Sequence, residues 1–270
     1  MDLAALAAEN HLAHLTPLFD APSIDDPARR VRDTITPAVI DNAKIDGKDL
    51  VLNYTVSHRA LWYDAALFAS MGWAVPTTWA EFTALGEQAK KEGIALFAYP
   101  GQKGPYYQLW NLLYTAAKIG GNQVIIDIDN LAEGAWNAEP VKQAVTAWTE
   151  IQAKYGEKSH FGLDHTQTQI KHLRNEVLFY PVGSWIENEM AKDKPAGLMS
   201  AARAQDSAGA NIITEARFEG WYKELFDYGT AQTNAVMAGR ITPERFCADL
   251  QEKADAIKND ASVPKQTRSR

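Results

Sequence analysis

The chain has 270 residues, 46 % of them hydrophobic, enough to bury one large core or two modest ones. Its formal charge of −7, from 34 acidic against 27 basic residues, argues against nucleic acid as a partner, because phosphate binding needs a basic face. The single cysteine, Cys247, excludes an intramolecular disulfide and a cysteine-based zinc cluster, and no run approaches the roughly 18 to 20 apolar residues of a membrane-spanning helix.

The opening residues, MDLAALAAENHLAHL, carry a helical pattern but no basic leader or long apolar run, so they do not read as a signal peptide. Pro27 and Pro37 each open a helical turn. Gly47 marks a turn, after which residues 50–56 predict a buried strand paired with a second strand over 60–63. Residues 64–71 predict a short helix closed by Gly72, and Thr78 with Glu81 forms a capping box for a helix that runs to Lys91. The apolar run 94–99 predicts a central strand feeding the loop at Pro100-Gly101. A helix over 106–119 then presents Leu109, Leu112, Leu113 and Ala116 on one stripe, ended by Gly120-Gly121.

Residues 124–128 predict a brief strand, and Pro140 opens a helix to Tyr155 with Val145, Trp148 and Ile151 on its apolar side. A polar helix is expected over 165–175 and a strand over 177–183, with Ser184-Trp185 at the next helix start. The pattern weakens between Lys192 and Glu215. It recovers as a helix over 217–240, and Thr242-Pro243-Glu244 opens the last helix, to about Lys258, followed by a frayed tail. Strands alternating with helices predict an α/β fold.

Three kinds of chemistry can be weighed. Asp127 with Asp129, and Glu187 with Glu189, are the candidate acid pairs for a glycoside hydrolase; the first pair would share one face of a strand, and both read better as solvated or capping acids. His11 with His14 and His165 with His172 have helical spacing, but no further ligand completes a metal site. Ser184 lacks the glycines of a nucleophile elbow. Cys247 sits in a helical pattern as a small buried residue. What remains is aromatic: eight tryptophans and ten tyrosines, several at strand ends and helix starts where the loops of an α/β lobe converge on a cleft. Tyr106, Trp185 and Trp221 occupy three such starts, which fits a stacking platform for an amphipathic ligand.

The order GKDLVLNYTVSHRALWYDAALF, PTTWAEF, Pro105-Tyr106-Tyr107, Val182-Gly183-Ser184-Trp185 and Gly220-Trp221-Tyr222 with Ala238-Gly239-Arg240-Ile241-Thr242-Pro243 resembles the family 1 extracellular solute-binding proteins. These are the sugar-capturing components of bacterial ABC importers, and the finer texture is similar to the type that binds N-acetylglucosamine and its disaccharide. The resemblance implies a type II periplasmic-binding-protein-like fold of two α/β lobes that close on sugar, a membrane permease as partner, a monomer, no enzymatic activity, no cofactor or metal, and a place in the periplasm or on the outer face of the cell membrane. It implies ligand contacts at Tyr106, Trp185 and Trp221, with Trp110 and the crossover residue Tyr54 beside them. Where maltose-type members offer a carboxylate, this chain has Gly104, which implies a different sugar.

The same comparison divides the chain. Residues 1–55 stand for a remnant of the first lobe and the hinge crossover, 56–192 for the second lobe, 193–217 for a shortened return through the first lobe, and 218–270 for C-terminal helices of the second. A half-cleft of this kind is expected to bind sugar weakly or undetectably. A carbohydrate-active hydrolase using an acid pair and a gene remnant without a ligand stay open as alternatives.

Overall fold

The computed structural model describes residues 3–53, 59–192 and 218–268. The N-terminal part begins with the short helices α1 (Leu3–Ala8) and α2 (Thr16–Asp20), a 3-10 turn at Val31–Thr34 and α3 (Pro37–Asn42). Strands β1 (Lys44–Ile45) and β2 (Lys48–Asp49) form a hairpin around Asp46 and Gly47, both at positive φ (49° and 74°). Two left-handed residues match the right-handed twist of the flanking strands, which is why Asp-Gly stands there. The predicted helix over 1–15 ends at Ala8.

The expected strand over 50–56 is not formed in its described part, residues 50–53; the rest, including Tyr54, lies outside the described residues. Strand β3 (Arg59–Trp62) therefore has a different partner from the one expected: it pairs antiparallel with β5 (Val177–Gly183), Trp62 opposite Tyr180 and Arg59 opposite Gly183. β4 (Ala95–Phe97) joins the other edge of β5 in parallel, and the three-stranded sheet has the order β3-β5-β4. All seven residues of β5 are buried, as expected of a central strand covered on both faces.

Local chemistry sets the helix ends around this sheet. Asp64 accepts the Ala66 N–H to cap α4 (Ala65–Met71), which Gly72 closes at φ 66°. Thr78 and Glu81 make the reciprocal capping box of α5 (Trp79–Lys91). Helix α6 (Tyr106–Gly120) packs its Leu109, Leu112, Leu113 and Ala116 face against α8 (Glu139–Tyr155), whose Trp148 is 2 % exposed and donates its indole N–H to Thr115 Oγ1 at 2.9 Å. Burying such a ring contributes about 3 kcal/mol when its polar tip is satisfied. Phe82, Phe97, Trp148 and Phe179 meet edge to face or tilted at centroid distances of 5.0 to 5.7 Å, joining α5, α8 and the sheet into the main core.

Residues 124–128 are a helix rather than a strand, α7 (Gln123–Asp129). Val124, Ile125, Ile126 and Ile128 are all buried and only Asp127 of the run reaches the surface, so its apolar residues show no clear period. Asp127 and Asp129 consequently do not share a strand face: Asp127 accepts from Gln123, and Asp129 is buried against Arg268. Asp164 caps α9 (His165–Leu173), and α10 (Ile186–Glu189) follows β5.

The expected continuous helix over 217–240 is broken at Tyr222, giving α11 (Phe218–Trp221) and α12 (Lys223–Met237). The break lets both Trp221 and Tyr222 reach the C-terminal segment after α13 (Pro243–Asn259). Trp221 donates to the Pro264 carbonyl at 3.0 Å, and the Tyr222 hydroxyl accepts from Gln266 N–H at 3.2 Å. The tail is therefore docked, and not frayed, as far as Arg268, which is 3 % exposed. Cys247 is fully buried, and burial pushes its thiol up to about 12, as for an inert core residue. The segment 193–217 lies outside the described residues.

Candidate functional site

A second apolar cluster lies beside the main core, formed by Trp62, Tyr107, Trp110, Tyr180, Val182 and Ile186, with Tyr106 and Trp185 half-buried against it. Its centre is the first turn of α6. Tyr106 and Trp110, four residues apart on one helical face, meet edge to face at 4.7 Å, while Tyr107 stacks on Trp110 at 5.5 Å and 19°. From α9, His165 brings its Nε2 to 3.2 Å from the Tyr106 hydroxyl and its ring to 5.0 Å from Tyr107.

Trp185 reaches the cluster because residue 183 is glycine. A Cβ there would fall 2.0 Å from the Trp185 ring, so the indole folds back over the end of β5 and lies 6.1 Å from Tyr107. Gly104 clears space in the same way for the tip of His165, 2.7 Å from where a Cβ would stand.

Trp110 has a supporting place. It is 9 % exposed, the Arg59 guanidinium sits over its ring at 3.2 Å, and its indole N–H donates to Glu219 at 3.0 Å. Arg59 also donates to the Tyr114 hydroxyl at 2.7 Å. Trp221 is packed in the main core with its N–H committed to Pro264. The structure thus brings together Tyr106, Trp110 and Trp185, places Trp221 against the tail, and leaves Tyr54 outside the described residues.

Burial raises the hydroxyl pKa of Tyr106, Tyr107 and Tyr180, so all three are neutral donors and acceptors. His165 is held below its ordinary value by burial, partly offset by Glu189 and Asp164. Glu189 accepts from Gln169 at 2.8 Å. His172 is not a partner of His165 in a metal pair: its Nδ1 bonds the Val177 carbonyl at 3.1 Å. Sequence reasoning missed Arg59, Tyr107 and His165 as members of this cluster. The tyrosine pair at a helix start was a visible signal for Tyr107, whereas Arg59 and His165 arrive through tertiary packing.

An α/β fold with a partly exposed aromatic patch at strand ends and helix starts is the architecture of a small-ligand binding protein. The chain matches the profile of the bacterial extracellular solute-binding proteins over residues 1–216, and it belongs to that family. It is 33 % identical over 189 residues to the diacetylchitobiose binding protein NgcE of Streptomyces coelicolor, covering 68 % of this chain and 39 % of that protein. It is 26 % identical over 167 residues to a probable sugar-binding periplasmic protein of Rhizobium meliloti, covering 60 % and 39 %. The chain thus spans 39 % of the length of each of these relatives. Among solved structures it is similar to a chitin oligosaccharide binding protein, with a TM-score of 0.71 at 14 % identity over 94 % of this chain and 80 % of the other. It is also similar to the sugar-binding protein MalE of Xanthomonas citri, with a TM-score of 0.65 at 14 % identity over the same shares. These likenesses establish a periplasmic-binding-protein-like α/β fold.

Proposed function

We propose that this chain carries the aromatic side of a sugar-binding site in the solute-binding component of an ABC importer, and that its ligand is N-acetylglucosamine or a short oligosaccharide of it. The observation that carries the reading is the pair of half-exposed rings, Tyr106 and Trp185, mounted on the buried Tyr107 and Trp110. A pyranose has an apolar C–H face that such rings cover and hydroxyl edges that need polar partners, which Tyr106, His165 and Glu189 offer. The relationship to the diacetylchitobiose binding protein supports the sugar class.

In this reading residues 56–192 with 218–270 form one lobe, 1–55 and 193–217 belong to the other, and the sugar is held between lobes that close on it. Binding rather than turnover is proposed, in line with relatives that are named as binding proteins. A permease in the membrane would receive the closed, loaded form, and a monomer suffices for that.

Calorimetric titration with N-acetylglucosamine and diacetylchitobiose tests this. With one aromatic side engaged, weak saturable binding is expected, with a dissociation constant on the order of millimolar. Tyr106→Ala and Trp185→Ala should each weaken it about tenfold or more, measured at a temperature where each variant is folded because both rings also pack on the cluster. Absence of heat and of any tryptophan fluorescence change at saturating sugar would refute the reading.

A further inference from the structure

A pyranose stacks only on an open ring face. Trp110 offers little of one: the Arg59 guanidinium carbon lies 3.2 Å from the ring centroid, Tyr107 stacks at 5.5 Å and 19°, and the residue is 9 % exposed. Its edge is taken as well, since the indole N–H donates to Glu219 on α11 at 3.0 Å. Arg59 is fixed in turn by a bond to the Tyr114 hydroxyl, one turn further along α6, at 2.7 Å. A cation on an indole face, with both partners hydrogen-bonded elsewhere, is a rigid arrangement.

Arg59 stands where the supports of the two half-exposed rings meet. Its side chain lies on α6, against the indole that touches Tyr106 edge to face at 4.7 Å. Its backbone opens β3 and pairs with Gly183 of β5, the position whose missing Cβ lets the Trp185 ring fold back. One residue thus ties the mount of Tyr106 to the mount of Trp185. A ring that a ligand must first immobilise costs affinity, and packing that fixes it beforehand removes that cost. We propose that Arg59 and Trp110 are positioning residues of the sugar site: stacked on each other and fixed by Tyr114 and Glu219, they hold Tyr106 and Trp185 in the relative placement that the sugar meets, and touch no sugar themselves. The proposal rests on the sugar-binding reading above, and it gives Trp110 a task other than the ligand contact expected from the sequence.

Ligand-observed NMR titration of the full chain with diacetylchitobiose, at a temperature where each variant is folded, decides it. Arg59→Met and Trp110→Phe should each weaken binding about tenfold. Where Tyr106→Ala has already removed the ring that Trp110 holds, adding Trp110→Phe should weaken binding by no more than about twofold, because its effect passes through Tyr106. A full tenfold loss from Trp110→Phe in that background would show Trp110 meeting the sugar itself and overturn the proposal. Parent-like affinity in both single variants, however far their thermal midpoints fall, would show a purely structural role and overturn it too, leaving the sugar-binding reading intact. Absence of sugar binding by the parent overturns that reading and the positioning role together.

Discussion

Arg268 is the third-last residue of the sequence, yet its side chain is 2 % exposed and lies 2.5 Å from Asp129 Oδ2, whose side chain is fully buried. Asp129 Oδ1 accepts the Phe218 N–H at 2.9 Å, and Asn130 exchanges two bonds with the Arg268 backbone at 2.6 and 2.8 Å. Substituting Arg268→Met leaves the carboxylate in the core with its cation gone. Breaking a buried pair from one side costs about 3 to 5 kcal/mol, because the remaining charge has lost its water and its partner together. With an unfolding slope of about 2 to 3 kcal/mol per M in urea, the midpoint should fall by about 1 to 2.5 M at unchanged slope. Adding Asp129→Asn should recover a large part of the loss, since the amide oxygen can still accept from Phe218 and no charge is stranded. Lys223→Ala is the control: its pair with Asp227 is exposed on both sides, so the midpoint should hardly move. A shift for Arg268→Met no larger than that of Lys223→Ala would refute the reasoning.

Two further outcomes are expected. His160 and His172 are buried and neutral, with desolvation holding their pKa at about 3 and about 4. Both folded values lie below the unfolded 6.5, so the unfolded chain binds more protons in between; the stability is fully present above about pH 6.5 and is lost as pH falls toward the folded values. By about pH 4.5 the two together remove about 5 kcal/mol, and His160→Phe, accepted among the rings of Phe97, Tyr99 and Phe161, should remove close to half of this dependence in urea titrations from about pH 7 to pH 5. Identical pH profiles for parent and variant would contradict it. Gly183→Ala drives a methyl into the Trp185 ring, so near-ultraviolet circular dichroism should change and stability should fall by about 1 to 3 kcal/mol; an unchanged spectrum would show that the indole does not depend on Gly183.

Short-range chemistry made much of this fold readable. Asp64, Thr78 with Glu81, and Thr242 each satisfy helix N–H groups within three residues of themselves, and Gly72 and Gly93 supply the left-handed turn that ends a helix or follows it. Such signals depend on no distant partner. The stripe of Leu109, Leu112, Leu113 and Ala116 was equally legible, because one buried face imposes one period. Where burial is complete the period disappears. Residues 124–128 are a helix buried everywhere but at Asp127, and a strand and a short core helix share the same apolar run.

For the site, the sequence alone placed Tyr106, Trp185 and Trp221 at helix starts and strand ends, the positions from which side chains can converge, and the family resemblance followed from the order of those motifs. Only the tertiary structure decided which aromatic does what. It covers Trp110 with Arg59, commits the Trp221 indole to Pro264, packs Trp185 against Tyr107 and brings His165 to the Tyr106 hydroxyl. It also docks a tail of ordinary polar composition by one buried cation. The physical reason is the same in each case: a cap or a turn is satisfied within a few residues, whereas the exposure of a ring and the partner of a buried charge are fixed by atoms 40 to 140 positions away, such as Arg268 against Asp129.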